Sequence, residues 1–101
     1  MMQGDSYGLK VNILNAVDAA VTPDDVSDVE ITVGALTKTY KNGEVTHDGK
    51  LWIFPVTQAE SFKFPASRIK AQVRVVWKDN TVEGAPLGEI YVKESTSKEV
   101  L

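Results

Sequence analysis

Cysteine is absent from the 101-residue chain, so neither a disulfide framework nor a thiolate metal site can form. That absence is compatible with folding in a reducing cytoplasm. Histidine occurs once, at His47, too few for an imidazole-based transition-metal site. No apolar run approaches the roughly 20 residues that a membrane-crossing helix needs. The opening "MMQGDSYGLK" has neither the basic nor the apolar segment of a signal peptide. An excess of positive charge is missing too. The 11 Lys and Arg against 14 Asp and Glu give a net charge of -3, which argues against a nucleic-acid binder held by phosphate contacts.

What is present is one domain's worth of chain, residues 1–101, with 94–101 compatible with a flexible tail. Hydrophobic residues make up 43%, enough for one core. A chain this short buries roughly two-thirds of its unfolded surface, which leaves little room for a deep catalytic cavity. Period-two alternation dominates. Leu9, Val11 and Ile13 share one face of "YGLKVNIL", and Val29, Ile31 and Val33 share one face of "SDVEITVG". "LTKTYK" repeats the pattern more weakly through Leu36 and Tyr40. "RIKAQVRVVW" puts Ile69, Ala71, Val73, Val75 and Trp77 inward, and "LGEIYV" adds Ile90 and Val92. Such alternation marks antiparallel sheets with one dry face and one wet face.

Turn chemistry separates these runs. Asn42-Gly43 gives a hairpin signal, Asp48-Gly49 leaves at most a short strand from Glu44 to His47, and "KDNT" after Trp77 reads as another hairpin. About seven short strands with turns this frequent predict an all-β, immunoglobulin-like Greek-key sandwich, with an open barrel as the alternative. One or two single helical turns are expected in the connections. In "VTQAESFKFP", Thr57 and Glu60 fit a capping box, and Pro65 keeps the turn from running on. Phe62 and Phe64 would then plug the end of the core. In "TPDDV", Thr22 is the N-cap, Pro23 the first helical residue, and Asp24 and Asp25 face the helix dipole.

Chemistry is weighed against these structural readings. Gln58, Glu60 and Ser61 could serve as acid, base or nucleophile, but triad chemistry needs a base beside the nucleophile, and the only histidine is His47, which is expected to be exposed in a polar hairpin. Asp24, Asp25, Asp28 and Glu30 offer oxygen ligands for calcium without the spacing of a calcium loop, so solvated charge is the better reading. The expectation is no catalytic residue, no cofactor and no metal. "LWIFPV" is apolar on both alternating sets, and only one can face the core. The other set is either covered by the "TQAESF" turn or exposed to a partner, which makes Trp52 and Phe54 candidates for an interface or, for Trp52, a sugar-stacking platform. Arg68, Lys70, Arg74 and Lys93 are expected to make one sheet face basic, with Asp28 and Glu30 making the opposite sheet acidic. Faces of opposite sign favour head-to-tail self-association.

The succession "GDSYGLKVNIL", "DVEITVG", "KTYKNGEV", "LWIFPVTQAESFKFP", "AQVRVVWKDNTVEG" and "SKEVL" resembles small proteins from phages and prophages of Gram-positive bacteria. More distantly it is similar to the N-terminal immunoglobulin-like domain of phage baseplate upper proteins. The likeness rests on Gly4-Asp5 before the first strand, the corner Thr57, Gln58, Glu60 and Ser61, and the strand Gln72 to Val75. It implies a non-enzymatic virion structural or assembly module of tail, baseplate or head, assembled in the host cytoplasm. The implied partners are other phage structural proteins or further copies of the chain, with no nucleic acid, membrane or small-molecule ligand. A carbohydrate- or surface-adhesion module is the alternative.

Overall fold

A computed structural model describes residues 6–15, 17–65 and 67–91, the stretch 87–91 by backbone alone. Seven strands follow one another: β1 (Tyr7–Val11), β2 (Val26–Val33), β3 (Leu36–Thr39), β4 (Thr46–His47), β5 (Trp52–Val56), β6 (Arg68–Trp77) and β7 (Val82–Tyr91). Two short helical pieces lie between them, a 3-10 turn at Pro23–Asp25 and α1 at Gln58–Phe62. The strands form two antiparallel sheets, three-stranded β1-β5-β4 and four-stranded β3-β2-β6-β7. The chain changes sheet after β1, after β3 and after β5, which interleaves the layers as an immunoglobulin-like Greek-key sandwich does. Two separate sheets replace the open-barrel alternative.

Alternation decides which side chains the layers enclose. On β2, Val29 and Ile31 are fully buried, and opposite them on β6 lie Val75 and Val73, both buried. The inward residues of β5 are Trp52, Phe54 and Val56, all buried. Ile13, Val21, Val26, Val33, Val45, Phe64, Ile69 and Ala71 complete the same core, with Tyr7, Leu9, Val11, Leu36, Tyr40 and Trp77 packed partly against it. Burial at about 25 cal/mol per Å² of apolar surface supplies the main stabilisation. The alternation therefore yields one apolar interior shared by the two sheets.

The turns form where the sequence places them, with one change of role. Gly43 adopts φ +77 and its amide donates to the Tyr40 carbonyl at 2.9 Å. The strands on either side belong to different sheets, so this Asn-Gly turn is a crossing and not a hairpin. The reason is Val45, fully buried, which draws the chain down between the layers before β4 begins. Asn80 (φ +69) closes the β6–β7 hairpin by donating to the Trp77 carbonyl at 2.9 Å. In the 3-10 turn, the Asp25 carboxylate accepts from the Thr22 amide at 3.0 Å and from the Thr22 hydroxyl at 3.1 Å. Ile90 lies on β7, where only backbone is described, and Val92 and the segment 94–101 fall outside the described residues.

Candidate functional site

Pro55 is the starting point for the polar corner. It sits on β5, the central strand of its sheet, where a residue without an N–H would normally break the ladder. Here β4 covers only Trp52 and Ile53, so at Pro55 one side of β5 has no neighbouring strand among the described residues. The Pro55 carbonyl instead accepts from Lys38 Nζ at 2.7 Å. Lys38 is an inward residue of β3, opposite Ile31, and only 8% exposed. Its ammonium lies 5.6 Å from the centroid of the Phe54 ring and donates to Glu60 Oε1 at 2.9 Å.

Glu60 meets Lys38 from α1. Thr57 caps that helix by accepting from the Glu60 amide at 3.2 Å, and Glu60 Oε1 accepts in turn from the Thr57 amide at 2.9 Å. The expected capping box is present, and one carboxylate oxygen serves both the cap and the lysine. Burial pushes the Glu60 carboxyl up, but the Thr57 amide and the Lys38 ammonium hold it down more strongly, and the net shift is downward. A low-pKa carboxylate bonded to a cation and an amide is a poor general base. Ser61 is fully buried and its hydroxyl donates to the Gln58 carbonyl at 3.0 Å. Phe64 plugs this end of the core as expected, while Phe62 is half-buried. The arrangement positions a corner of the fold.

Trp52 occupies the other end of β5. Its side chain is fully buried, and Nε1 donates to the Val21 carbonyl at 3.0 Å. Tyr40 meets it edge-on at 5.2 Å between ring centroids, and His47 at 4.8 Å. The candidate interface at Trp52 and Phe54 is thereby corrected: both are at 0% exposure, because the set containing Trp52, Phe54 and Val56 faces the core. The half-buried set is Leu51, Ile53 and Pro55. A sugar cannot stack on an enclosed indole. The expected exposure of His47 is corrected as well. Its ring is half-buried against Trp52, and Nδ1 accepts from the Gly49 amide at 3.2 Å. Ser61 follows one end of β5 and His47 pairs with the other, so the two do not meet.

The charged residues also change places. β2 and β6 are neighbours in one sheet, and Glu30 lies directly opposite Arg74. The expectation of an acidic sheet facing away from a basic one fails, because alternation fixes which way a side chain points but not which strand lies beside it. Acid and base share the outer face of the four-stranded sheet. There Arg68, Lys70 and Arg74 are exposed and Glu30 is half-exposed. Asp28 is committed to structure, its carboxylate accepting from the Lys41 amide at 2.9 Å and from the Val29 amide at 2.8 Å. Lys93 lies outside the described residues. Gly84 and Pro86, opposite Arg74 and Gln72, floor a shallow depression of about 250 Å³ bordered by Glu30 and Arg74.

Asp24 and Asp25 remain in the 3-10 turn, and among the described residues no three carboxylate, imidazole or thiol groups gather to hold a metal. Asp48 and Asp79 have lowered pKa values, Asp48 through the amides of Leu51 and Lys50 and Asp79 through the hydroxyl and amide of Thr81. Both act as turn acceptors. No helix among the described residues is long and apolar enough to cross a membrane. Neither a protein-family model, a curated protein nor a solved structure matches the chain.

Proposed function

We propose that the chain is a non-enzymatic assembly module of a phage or prophage virion that docks on another structural protein through the outer face of its four-stranded sheet. One observation carries the docking surface. Glu30 and Arg74 stand directly opposite on adjacent strands, yet the ion pair found among the described residues is Lys38–Glu60. Both charges are thus left to meet a partner, beside Gln72 and the 55% exposed Val82. Arginine with apolar neighbours and polar surroundings is the composition of protein–protein contact surfaces. The corner that looked most like an active site is occupied in capping α1 and bonding Lys38, which supports a structural role for it. The virion setting is supported by the resemblance of the corner Thr57, Gln58, Glu60 and Ser61 and of the strand Gln72 to Val75 to small phage proteins.

The test is incorporation into particles. Purified virions from an induced host are expected to contain the chain, and Arg74→Glu is expected to lower its incorporation without lowering its melting temperature. Particles that lack the wild-type chain would end this reading.

A further inference from the structure

Glu83 and Ala85 should be buried, and they are not. In an antiparallel pair, directly opposed residues point to the same face of the sheet. Glu83 is opposed to Val75 and Ala85 to Val73, and both valines are 4% exposed in the core. Glu83 and Ala85 thus point toward the other layer, yet both are exposed. The cause is a mismatch of three described strands over four, which leaves β7 with no strand above it among the described residues. The vacant lane runs beside β1, where Leu9 and Val11 are only half-buried. There an opening of about 320 Å³ reaches between the sheets to Ile31, Val33 and Ala71.

The open side of β1 can take a strand. Pro55 turns its carbonyl toward Lys38 and has no N–H, so its pair with Gly8 is the non-hydrogen-bonded kind. By the alternation of antiparallel ladders, Gly8 and Lys10 then direct their amides and carbonyls to the open edge. The other three edges are blunted. β4 has two residues and β3 four, and β7 carries Pro86 and a register shift opposite Ala71–Gln72. Short strands, proline and bulges are the usual protections of a sheet edge. β1, five residues long, carries neither proline nor bulge, and its one charged residue, Lys10, is exposed on the face turned away from the core.

We propose that this lane receives one extended segment of a partner protein, added as a strand to β1, with alternating apolar residues facing Ala85 and a basic residue at the end beside the β6–β7 turn. The layer geometry selects a lone strand over a second sandwich. A second copy pairing through its own β1 would bring its own four-stranded sheet beneath that strand, where β7 already lies. Charge selects the basic end. Around the β6–β7 turn the lane borders Asp25, Asp79 and Glu83 against one lysine, Lys78. Backbone pairing would supply affinity and the alternate side chains selectivity, as in other strand-addition complexes. This surface is distinct from the outer face of the same sheet, and the proposal does not depend on the virion reading.

The test uses a synthetic peptide of alternating valine and threonine ending in lysines, and a counterpart ending in glutamates. Amide exchange at Gly8 and Lys10 is followed by NMR. Saturation with the lysine-ended peptide is expected to slow both amides by at least about tenfold, and the glutamate-ended peptide is expected to bind far less tightly. Lys10→Pro, which removes an outward N–H, and Ala85→Trp, which fills the exposed floor, are each expected to abolish binding with little change in melting temperature. Three results would overturn the proposal. The amides could be unaffected by peptide, or already protected in the free monomer (this chain fills its own lane), or protected only as protein concentration rises (a second copy fills it).

Discussion

The two flanks of the sandwich solve the same problem in opposite ways. On one flank β4 is too short to cover β5, and the gap is closed by Lys38, which reaches from the other sheet to the Pro55 carbonyl and to Glu60. On the other flank β1 is too far in to cover β7, and nothing among the described residues closes the gap over Glu83 and Ala85. The closed flank needs a buried cation with every strong partner in place. The open flank needs only that its inward residues tolerate water, and a small alanine and a glutamate do. A strand missing from a sheet can thus be replaced by one well-placed side chain, or left as a place for a strand from elsewhere.

The comparison breaks first at the closed flank. Phe54→Ala, which removes the ring beneath the Lys38 ammonium and a fully buried side chain, is expected to cost about 3–5 kcal/mol, measured by denaturant melts. Lys38→Met comes next. It leaves the Pro55 carbonyl and the Glu60 carboxylate without their cation, and the expected loss is about 1–3 kcal/mol. The lower part of that range allows for water reaching Glu60, whose side chain is 25% exposed. An unchanged melting temperature for Lys38→Met would mean that the lysine does not hold the flank. Thr57→Ala, which removes the cap but leaves the lysine bonded, should cost about 1 kcal/mol.

Acid sharpens the same contrast. The Glu60 carboxyl is shifted downward in the fold, so it contributes stability that is present above its unfolded pKa and lost as pH falls through its folded value. Thermal stability of the wild type should therefore decline on acidification below the ordinary glutamate range. The decline should be shallower in Lys38→Met, and an equally steep one would assign the acid sensitivity to other carboxylates. The smallest effect is expected on the outer face. Arg74→Asp should change stability by no more than about 0.5 kcal/mol, whereas Val73→Asp, one residue away and buried, should prevent folding.

The difference between the flanks also marks how far the sequence could be read. Alternation assigned the faces of β2 and β6, and the Thr57–Glu60 spacing identified the corner, because both depend on near neighbours along the chain. Lys38 was signalled by the same rule. It stands between Leu36 and Tyr40 on the inward face of "LTKTY", and a strand that buries those two directs it inward as well. What no local pattern specifies is its partner, since Glu60 is 22 positions away and the meeting depends on how the sheets stack. The same limit explains why β2 and β6 were assigned to different sheets. The apolar double face of "LWIFPV" was ambiguous for another reason: both sets of side chains are hydrophobic, so composition cannot choose between them. The open lane beside β1 leaves no trace in any one strand, being a matter of strand number in each layer.

The interleaving of the two sheets has a further consequence, for the order of events in folding. β1 waits for β5, and β5 is synthesised only after β2 and β3; β2 in turn waits for β6, which follows β5. The hairpins β2–β3 and β6–β7 can close from local sequence, but the pairs that define the layers join segments about 40 residues apart, each requiring a long loop to be ordered before contacts reward it. Neither layer can be finished while the other is still loose. The barrier should thus include both non-local pairings at once, with refolding on the order of milliseconds to seconds. A nascent chain released before β6 emerges would hold β2 paired with β3 on one edge only, its other edge and its apolar face open, the moment at which this small domain is most exposed to aggregation.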